Sequence, residues 1–551
     1  MYKFVCINNL LFHHKMDQID PKNGYNTLTK TFHSLRPQVH LPPETTLFSV
    51  TDYVFSVLQP ATNSLSTAIT ALIDSSTGHQ LTYSQLTQQI KSLASYLYNV
   101  INLSTQDVAF ILCSNSIKIP VLYFALLSLG VVVSPSNPIN TESEISRQID
   151  ICKPVIAFAT SSAAHKIPKL KYQTILVDSP EFDSMMSSSM HELDKVRVSQ
   201  SDLAGILYSS GTTGKMKGVM VTHRNLIASV AGFFPDRESS TVVSLSPVPY
   251  FHVYGFCCCI ASAAARETVV VMERFDLKKM LRAVEEFRIT RIRVAPPVVV
   301  GIVKSKDITE NYDLTSLERV ASAGAPLGKE EIAAFRMKFP AVELWQVYGL
   351  TESTAGVFGA RNPEESCRWG SVGRLSGNFE AKIVNPDTGE ALPPGQQGEL
   401  WVKGPTIMKG YIGDSESTST CLLSDGWLRT GDLCYIDEEG FMFVVDRLKE
   451  LIKYKAYQVA PAELEQLLHS HPEIIDAAVI PYPDEVAGEI PMAAVVKDPQ
   501  SSLDERSIID FVAKSVAPYK KIRRVAFVSS IPRNSAGKIL RNDLKKKIVP
   551  N

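Results

Sequence analysis

No Walker A loop and no GxGxxG fingerprint occurs in these 551 residues, so neither a P-loop nor a dinucleotide-binding turn is the way this chain handles phosphate. No CxxC pair occurs either. The nine cysteines, an odd number, include the run Cys257-Cys258-Cys259, which is neither a disulfide framework nor a zinc site. They read as small buried hydrophobes in a reducing compartment. An excess of one charge is also missing: 56 basic residues stand against 57 acidic ones, a net charge of -1. Without a basic field, nucleic acid is excluded as a bulk partner.

Membrane-spanning apolar runs are lacking too. Ile119 to Val133 is too short and is interrupted by Pro120 and Gly130. Thr241 to Ala265 carries no formal charge, but Pro247, Pro249 and His252 sit in its first half, and a buried strand, loop and helix explain it better. The opening "MYKFVCINNLLFHH" has too short an apolar core for a secretory signal, and the closing Val-Pro-Asn is no peroxisomal Ser-Lys-Leu address. A cytoplasmic protein is expected.

What is present is the composition of an ordinary globular protein, 45% hydrophobic and 21% charged, in a chain long enough for two or more domains. Residues 1–50 are polar and proline-bearing and read as an extended arm. Over 51–445, β-branched runs such as "DVAFILCS" and "TVVVMERF" alternate with helical patterns such as "LKKMLRAVEEFR". That alternation predicts an α/β fold of layered, largely parallel sheets. "PDTGEALPPGQQGELWVKG" changes texture; its turn signals predict a small antiparallel β subdomain within the same large domain. From the charged segment Asp446 to Glu450 onward, 446–551 reads as a compact α+β domain.

The stretch "LYSSGTTGKMKG" ends an apolar run in a loop with four hydroxyls (Ser209, Ser210, Thr212, Thr213), two glycines (Gly211, Gly214) and two lysines (Lys215, Lys217). Backbone N–H groups, hydroxyls and ammoniums of this kind can wrap the β- and γ-phosphates of a nucleotide. By itself such a loop is also an ordinary solvated turn.

Six further segments follow in order: "PYFHVYGF", "SAGAPLG", "QVYGLTES", "GWLRTGDL", "DRLKELIKYKAYQVAPAELE" and "PRNSAGKILR". Together with the loop they resemble the adenylate-forming superfamily of acyl-CoA synthetases, peptide-synthetase adenylation domains and luciferases. The chain is most similar to plant 4-coumarate:CoA ligase-like proteins, and the resemblance covers nearly everything beyond residue 50. It implies ATP and coenzyme A as co-substrates, Mg²⁺ as cofactor, a carboxylic acid as partner and a monomer without a membrane span. It also keeps the peroxisome open as an alternative compartment.

The resemblance assigns roles residue by residue. Ser209, Ser210, Gly211, Thr212, Thr213 and Lys217 would hold the triphosphate, with Thr351. Glu352 would be the Mg²⁺ acid, a hard oxygen ligand that leaves the ion shared with phosphates. Asp432 and Arg447 would meet the ribose, and Tyr348 would stack on adenine. Tyr254, Cys258, Gly324, Gln346 and Val347 would line the adenylate and acyl site, gated by His252. Lys538 would be the catalytic cation between carboxylate and α-phosphate. Lys449 would be the hinge of a mobile C-terminal domain, Lys453 and Gln458 would act on the adenylate, and Arg274, Lys455 and Ala456 would contact CoA.

Three departures from the 4-coumarate enzymes are visible. Ala456 stands where glycine is usual, which puts the CoA step in question and leaves a luciferase-like transfer to another acceptor as an alternative. Cys257 and Ala321 occupy the positions of the asparagine and lysine that meet a phenolic hydroxyl. Val347 replaces a glycine in the wall, and "TESTAGVFGA" departs from the usual continuation. An apolar pocket is expected, suited to cinnamate-like, fatty or oxylipin-type acids. A catalytically inactive acyl or nucleotide sensor is the remaining reading.

Overall fold

The computed structural model describes residues 19–57, 69–188, 196–209, 216–233, 242–305, 309–325, 327–354, 356–455, 457–484, 486–534 and 537–549. Two large sheets dominate. One has nine strands and is parallel through its centre, from Glu343–Gly349 through Arg319–Ala323, Arg291–Val294, Val243–Ser246 and Thr268–Val271 to Thr70–Asp74. The other has seven strands, a parallel set bordered by Leu203–Ser209 and extended antiparallel by Lys217–Thr222 and Gly410–Tyr411. The β-branched run "TVVV" at Thr268–Val271 is buried over its whole length, as a parallel strand covered on both faces is.

Helix α1 (Val253–Ala265) lies against the nine-stranded sheet. It is capped by His252, whose Nδ1 accepts from Tyr254 N–H at 3.3 Å, and nearly every residue in it is buried. Gly255 is required at its start: a Cβ there would fall 2.1 Å from the Pro249 carbonyl oxygen. Within the charge-free stretch, residues 242–265 are thus a strand, a loop and a helix, as its prolines suggest. Among the described residues no helix is long and apolar enough to cross a membrane.

A third, antiparallel sheet contains Glu380–Val384, Gly398–Lys403, Leu428–Ile436 and Met442–Arg447. Residues Tyr25–Asn26 and Thr31–His33 form a two-stranded unit on its edge, pairing through Phe32 with Ala381. The last sheet belongs to the C-terminal part, where helix α3 (Pro461–His469) and the strands Ile474–Asp484 and Gly488–Lys497 enclose their own core around Leu464, Val479 and Val495. This mixed α/β architecture, with a large N-terminal domain and a small C-terminal one, agrees with the sequence expectation.

Candidate functional site

Polar side chains converge where the parallel strands of the nine-stranded sheet end, the usual place for a ligand crevice in an open α/β sheet. The Glu343–Gly349 strand runs into a short turn, Thr351–Ser353, held by Ser353 Oγ accepting from Leu350 N–H at 2.9 Å. The turn presents Glu352, whose Oε1 accepts from Ser209 Oγ and from Tyr411 Oη, both at 2.9 Å. Ser209 and Lys217 face each other across the antiparallel pair that brackets the hydroxyl-rich loop. Lys217 Nζ sits 4.6 Å above the Tyr411 ring. Ser210, Gly211, Thr212 and Thr213 lie outside the described residues. No group of three or more metal-ligating side chains occurs among those described. A single carboxylate beside a phosphate loop is nonetheless what Mg²⁺ uses when phosphates supply its other ligands, so Glu352 fits that ion.

Alternation along the Glu343–Gly349 strand splits its side chains between two compartments. Tyr348 is buried, and its hydroxyl donates to Asp432 Oδ2 at 2.6 Å. Gln346 lies on the same face and donates to the Ser371 carbonyl at 2.8 Å. Asp432 stands directly opposite Arg447 in the antiparallel register, with Arg447 Nε 3.5 Å from its Oδ1. Burial raises the Asp432 pKa, while the Arg447 charge and the Tyr348 hydroxyl pull it down.

The C-terminal domain contributes Lys538 to this cluster. Its Nζ is 3.7 Å from Glu450 Oε1, and Arg541 Nε is 3.0 Å from the other oxygen of Glu450. Burial and the Arg447 charge lower the Lys538 pKa, against the attraction of Glu450 and Asp432. Lys538 N–H donates to Asn534 Oδ1 at 2.9 Å, which closes the loop that carries it. Gly537 rests against the large domain, where a Cβ would lie 3.3 Å from Pro297 Cγ.

The other compartment is a cavity of about 610 Å³ between helix α1 and the sheet. Cys257, Cys258 and Ala261 face Ala321, Ala323 and Val347 across it, with His252, Tyr254 and Gly324 also lining it. Tyr254 Oη donates to the Ala321 carbonyl at 3.3 Å. Burial pushes the His252 imidazole down to about 4 and the Cys258 thiol up to about 11, so both are neutral near pH 7. Cys257 Sγ donates to the Thr354 carbonyl at 2.6 Å. The cavity is not wholly apolar. Arg293 makes a two-pronged pair with Glu267 at 2.8 Å, joined by Ser262 and Ser244.

Of the remaining sequence-selected residues, Lys453 and Lys455 stand apart from this cluster. Lys453 is exposed on the Ile452–Tyr454 strand and Lys455 follows it in the left-handed region at φ 53°. Arg274 and Lys449 are exposed, Lys449 just beyond the end of the Met442–Arg447 strand. Ala456 and the side chain of Gln458 lie outside the described residues. Among the described residues no hydrogen bond or ion pair links Lys453 or Lys455 to Asp432, Arg447 or Lys538. The sequence reading missed Tyr411, Glu450, Arg541 and the Arg293–Glu267 pair. Glu450 was within reach of inspection, as it lies inside the selected "DRLKELIKYK" segment.

This geometry joins a carboxylate flanked by Ser209 and Tyr411, a buried acid–tyrosine pair and a cavity of about 610 Å³, and comparison with known proteins agrees with it. The family model described as AMP-binding enzyme matches residues 62–412, and the one described as AMP-binding enzyme C-terminal domain matches 463–538. The chain belongs to the AMP-binding enzyme family, among its adenylate-forming acyl-CoA ligases. It is 51% identical to 4-coumarate--CoA ligase-like 9 of Arabidopsis thaliana, covering 96% of each chain. It is 45% identical to the peroxisomal OPC-8:0-CoA ligase 1 of the same plant, over 97% of this chain and all of that one. Among solved structures, ATP-bound MatB from Rhodopseudomonas palustris superposes with a TM-score of 0.81 at 26% identity, covering 91% of this chain and 99% of that one.

Proposed function

We propose that this protein is an ATP-dependent carboxylic acid:CoA ligase with two half-reactions. A carboxylate oxygen attacks the α-phosphorus of ATP and the bond to pyrophosphate breaks, leaving an acyl-adenylate. The sulfur of coenzyme A then attacks the acyl carbon, AMP departs, and the thiol proton is released. The observation that carries this reading is the position of Lys538, whose Nζ lies 3.7 Å from Glu450 Oε1, where the charges of Arg447 and Asp432 also act on it. A cation there neutralises the repulsion between the carboxylate and the α-phosphate and stabilises the charge that builds between them.

In this reading Ser209, Lys217 and Thr351 grip the phosphates, with residues 210–215, and Glu352 would hold Mg²⁺, with Tyr411 orienting its carboxylate. When bound, the ion neutralises phosphate charge. Asp432 accepts from the ribose hydroxyls beside Arg447. The acyl chain enters past His252 between helix α1 and the sheet. Rotation at Lys449 then exchanges the Lys538 face for one bearing Lys453, Gln458, Lys455 and Ala456, with Arg274 meeting the CoA nucleotide.

The acid has an extended, mainly apolar chain. From Cys257 to Ala265 the cavity wall on helix α1 runs about 12 Å at 1.5 Å per residue. An extended chain advances about 1.25 Å per carbon from bonds near 1.5 Å, so roughly ten carbons fill it. The OPC-8:0-CoA ligase among the relatives supports a fatty or oxylipin-type acid.

The test is AMP release across a panel of carboxylic acids, with and without CoA, beside acid-dependent pyrophosphate exchange. A ligase shows exchange with a medium-chain acid and CoA-stimulated AMP release with thioester formed; exchange with an AMP release that CoA leaves unchanged would refute it. Lys538→Ala is expected to slow exchange by about 10²-fold or more, while thioester formation from supplied acyl-AMP survives.

A further inference from the structure

Glu331 sits in the first turn of helix α2 (Lys329–Lys338) of the large domain and is 9% exposed. Its Oε1 is 3.6 Å from Nδ1 of His469, the last residue of helix α3 in the small domain. On its other side His469 Nε2 lies 3.4 Å from Asp476 Oδ1. That same oxygen accepts from Arg533 at 2.8 Å, and Arg533 in turn donates to the Gly537 carbonyl at 3.0 Å. Gly537 immediately precedes Lys538. An unbroken chain of contacts therefore leads from the large domain, through a histidine held between two carboxylates, to the loop that carries the lysine.

Nothing in the phosphate, acyl or CoA roles uses Glu331, His469 or Asp476. They nevertheless mark where the two domains meet. Lys304 of the large domain donates to the carbonyls of Ile474 and Ile475 at 3.2 and 3.1 Å beside them. Gly328 leaves the space the Glu331 carboxylate occupies, since a Cβ at that glycine would stand 2.0 Å from Glu331 Oε2.

We infer that Glu331, His469, Asp476 and Arg533 form a docking relay that positions Lys538 for adenylation and that engages only while the small domain sits in this arrangement. The relay rests on the two-step reading above. When the small domain rotates, Glu331 and His469 part, and Arg533 loses the support that docking transmits through Asp476. These four are positioning residues, since none of them touches a reacting atom.

The carboxylates facing His469 are Glu331 from the large domain and Asp476 from the small one, with Lys304 near both and Arg533 bound to Asp476, and the backbone N–H and carbonyl of Ala477 lie 3.1 and 3.3 Å from Nε2. Burial opposes a charge on the ring, but Asp476 and Glu331 outweigh it and hold its pKa up to about 9. The sign follows from linkage. Docking binds the imidazole proton more tightly than the undocked domain does, which retains Asp476 alone. The relay is therefore fully present at neutral pH and below, and is lost as pH rises through about 9.

The experiment compares full-length wild type with Glu331→Ala and Gly328→Ala in both half-reactions. The Gly328 variant leaves the carboxylate in the chain but displaces it. Both variants are expected to lower the kcat of pyrophosphate exchange by roughly tenfold near pH 7 and to leave thioester formation from supplied acyl-AMP unchanged. The ratio of wild type to Glu331→Ala exchange should shrink toward one above pH 9, a trend that loss of general stability does not produce. Equal slowing of both half-reactions, or a ratio that ignores pH, overturns the relay. If wild type supports no exchange with any acid, the proposed reaction fails instead. Tryptic nicking after Lys449 then decides the relay, since the variants should be cut faster and equal rates overturn it.

Discussion

The carboxylate of Asp432 is enclosed by protein, with burial raising its pKa and two neighbours, Arg447 and the Tyr348 hydroxyl, resisting the rise. Removing one of those neighbours leaves a buried charge less well served, and a hydrogen bond to a charged group contributes about 1.5–3 kcal/mol. Tyr348→Phe is therefore expected to raise the KM for ATP by roughly tenfold or more. It should also move the acid limb of that KM profile to higher pH, because a carboxyl that protonates more readily loses its ribose-accepting form sooner. Steady-state kinetics from pH 5 to 9 check both. At this scale the ordered motifs single out Glu352, Asp432 and Lys538, and the structure gives each a side-chain partner from another element. The sequence was not legible where the partner lies far along the chain. Tyr411 reaches Glu352 across 59 residues, and Arg541 reaches Glu465 across 76, and no local pattern announces either contact.

Helix α1 shows how one element shapes a cavity. Its cavity face carries Cys257, Cys258, Ala261, Ala264 and Ala265, side chains small enough to leave room beside Ala321 and Ala323. Filling that space with a ring costs about 1–3 kcal/mol where a substrate chain must compete for it. Ala261→Phe is expected to lower kcat/KM for acids of ten or more carbons by roughly tenfold, with six-carbon acids little affected, as a chain-length series would read. The small-residue run was visible in the sequence, and so was the loss of polar groups at Cys257 and Ala321. The charged pair in the wall was not. "RIRV" read as a strand puts Arg291 and Arg293 on one face, but only the fold brings Glu267, from the end of another connection, within 2.8 Å of Arg293.

At the scale of the whole molecule, alternating strand and helix patterns were enough to anticipate the layered sheets, because buried parallel strands advertise themselves as continuous apolar runs. The relation between the two domains was not written so openly. It depends on Glu331, His469 and Lys304, ordinary surface residue types that acquire meaning only when two separate cores meet. The N-terminal segment was equally silent, since Thr31–His33 is too short to read as a strand until its partner is known. Yet Phe32 is 1% exposed and packs 4.9 Å from Tyr25. Phe32→Ala is expected to destabilise the large domain by about 3–5 kcal/mol, visible as a lower Tm with the KM for CoA unchanged.

That small N-terminal pairing also sets a timetable for the molecule's birth. Ser34 hydrogen-bonds Leu375, 341 residues further along, and Asn23 bonds Glu438, 415 residues away. At about 5–20 residues added per second, the first strands leave the ribosome on the order of tens of seconds before their partners exist. The large domain cannot be sealed in the order in which it is made. Its earliest described strands must wait, with their apolar side chains unpaired, for nearly the last part of that domain to be translated.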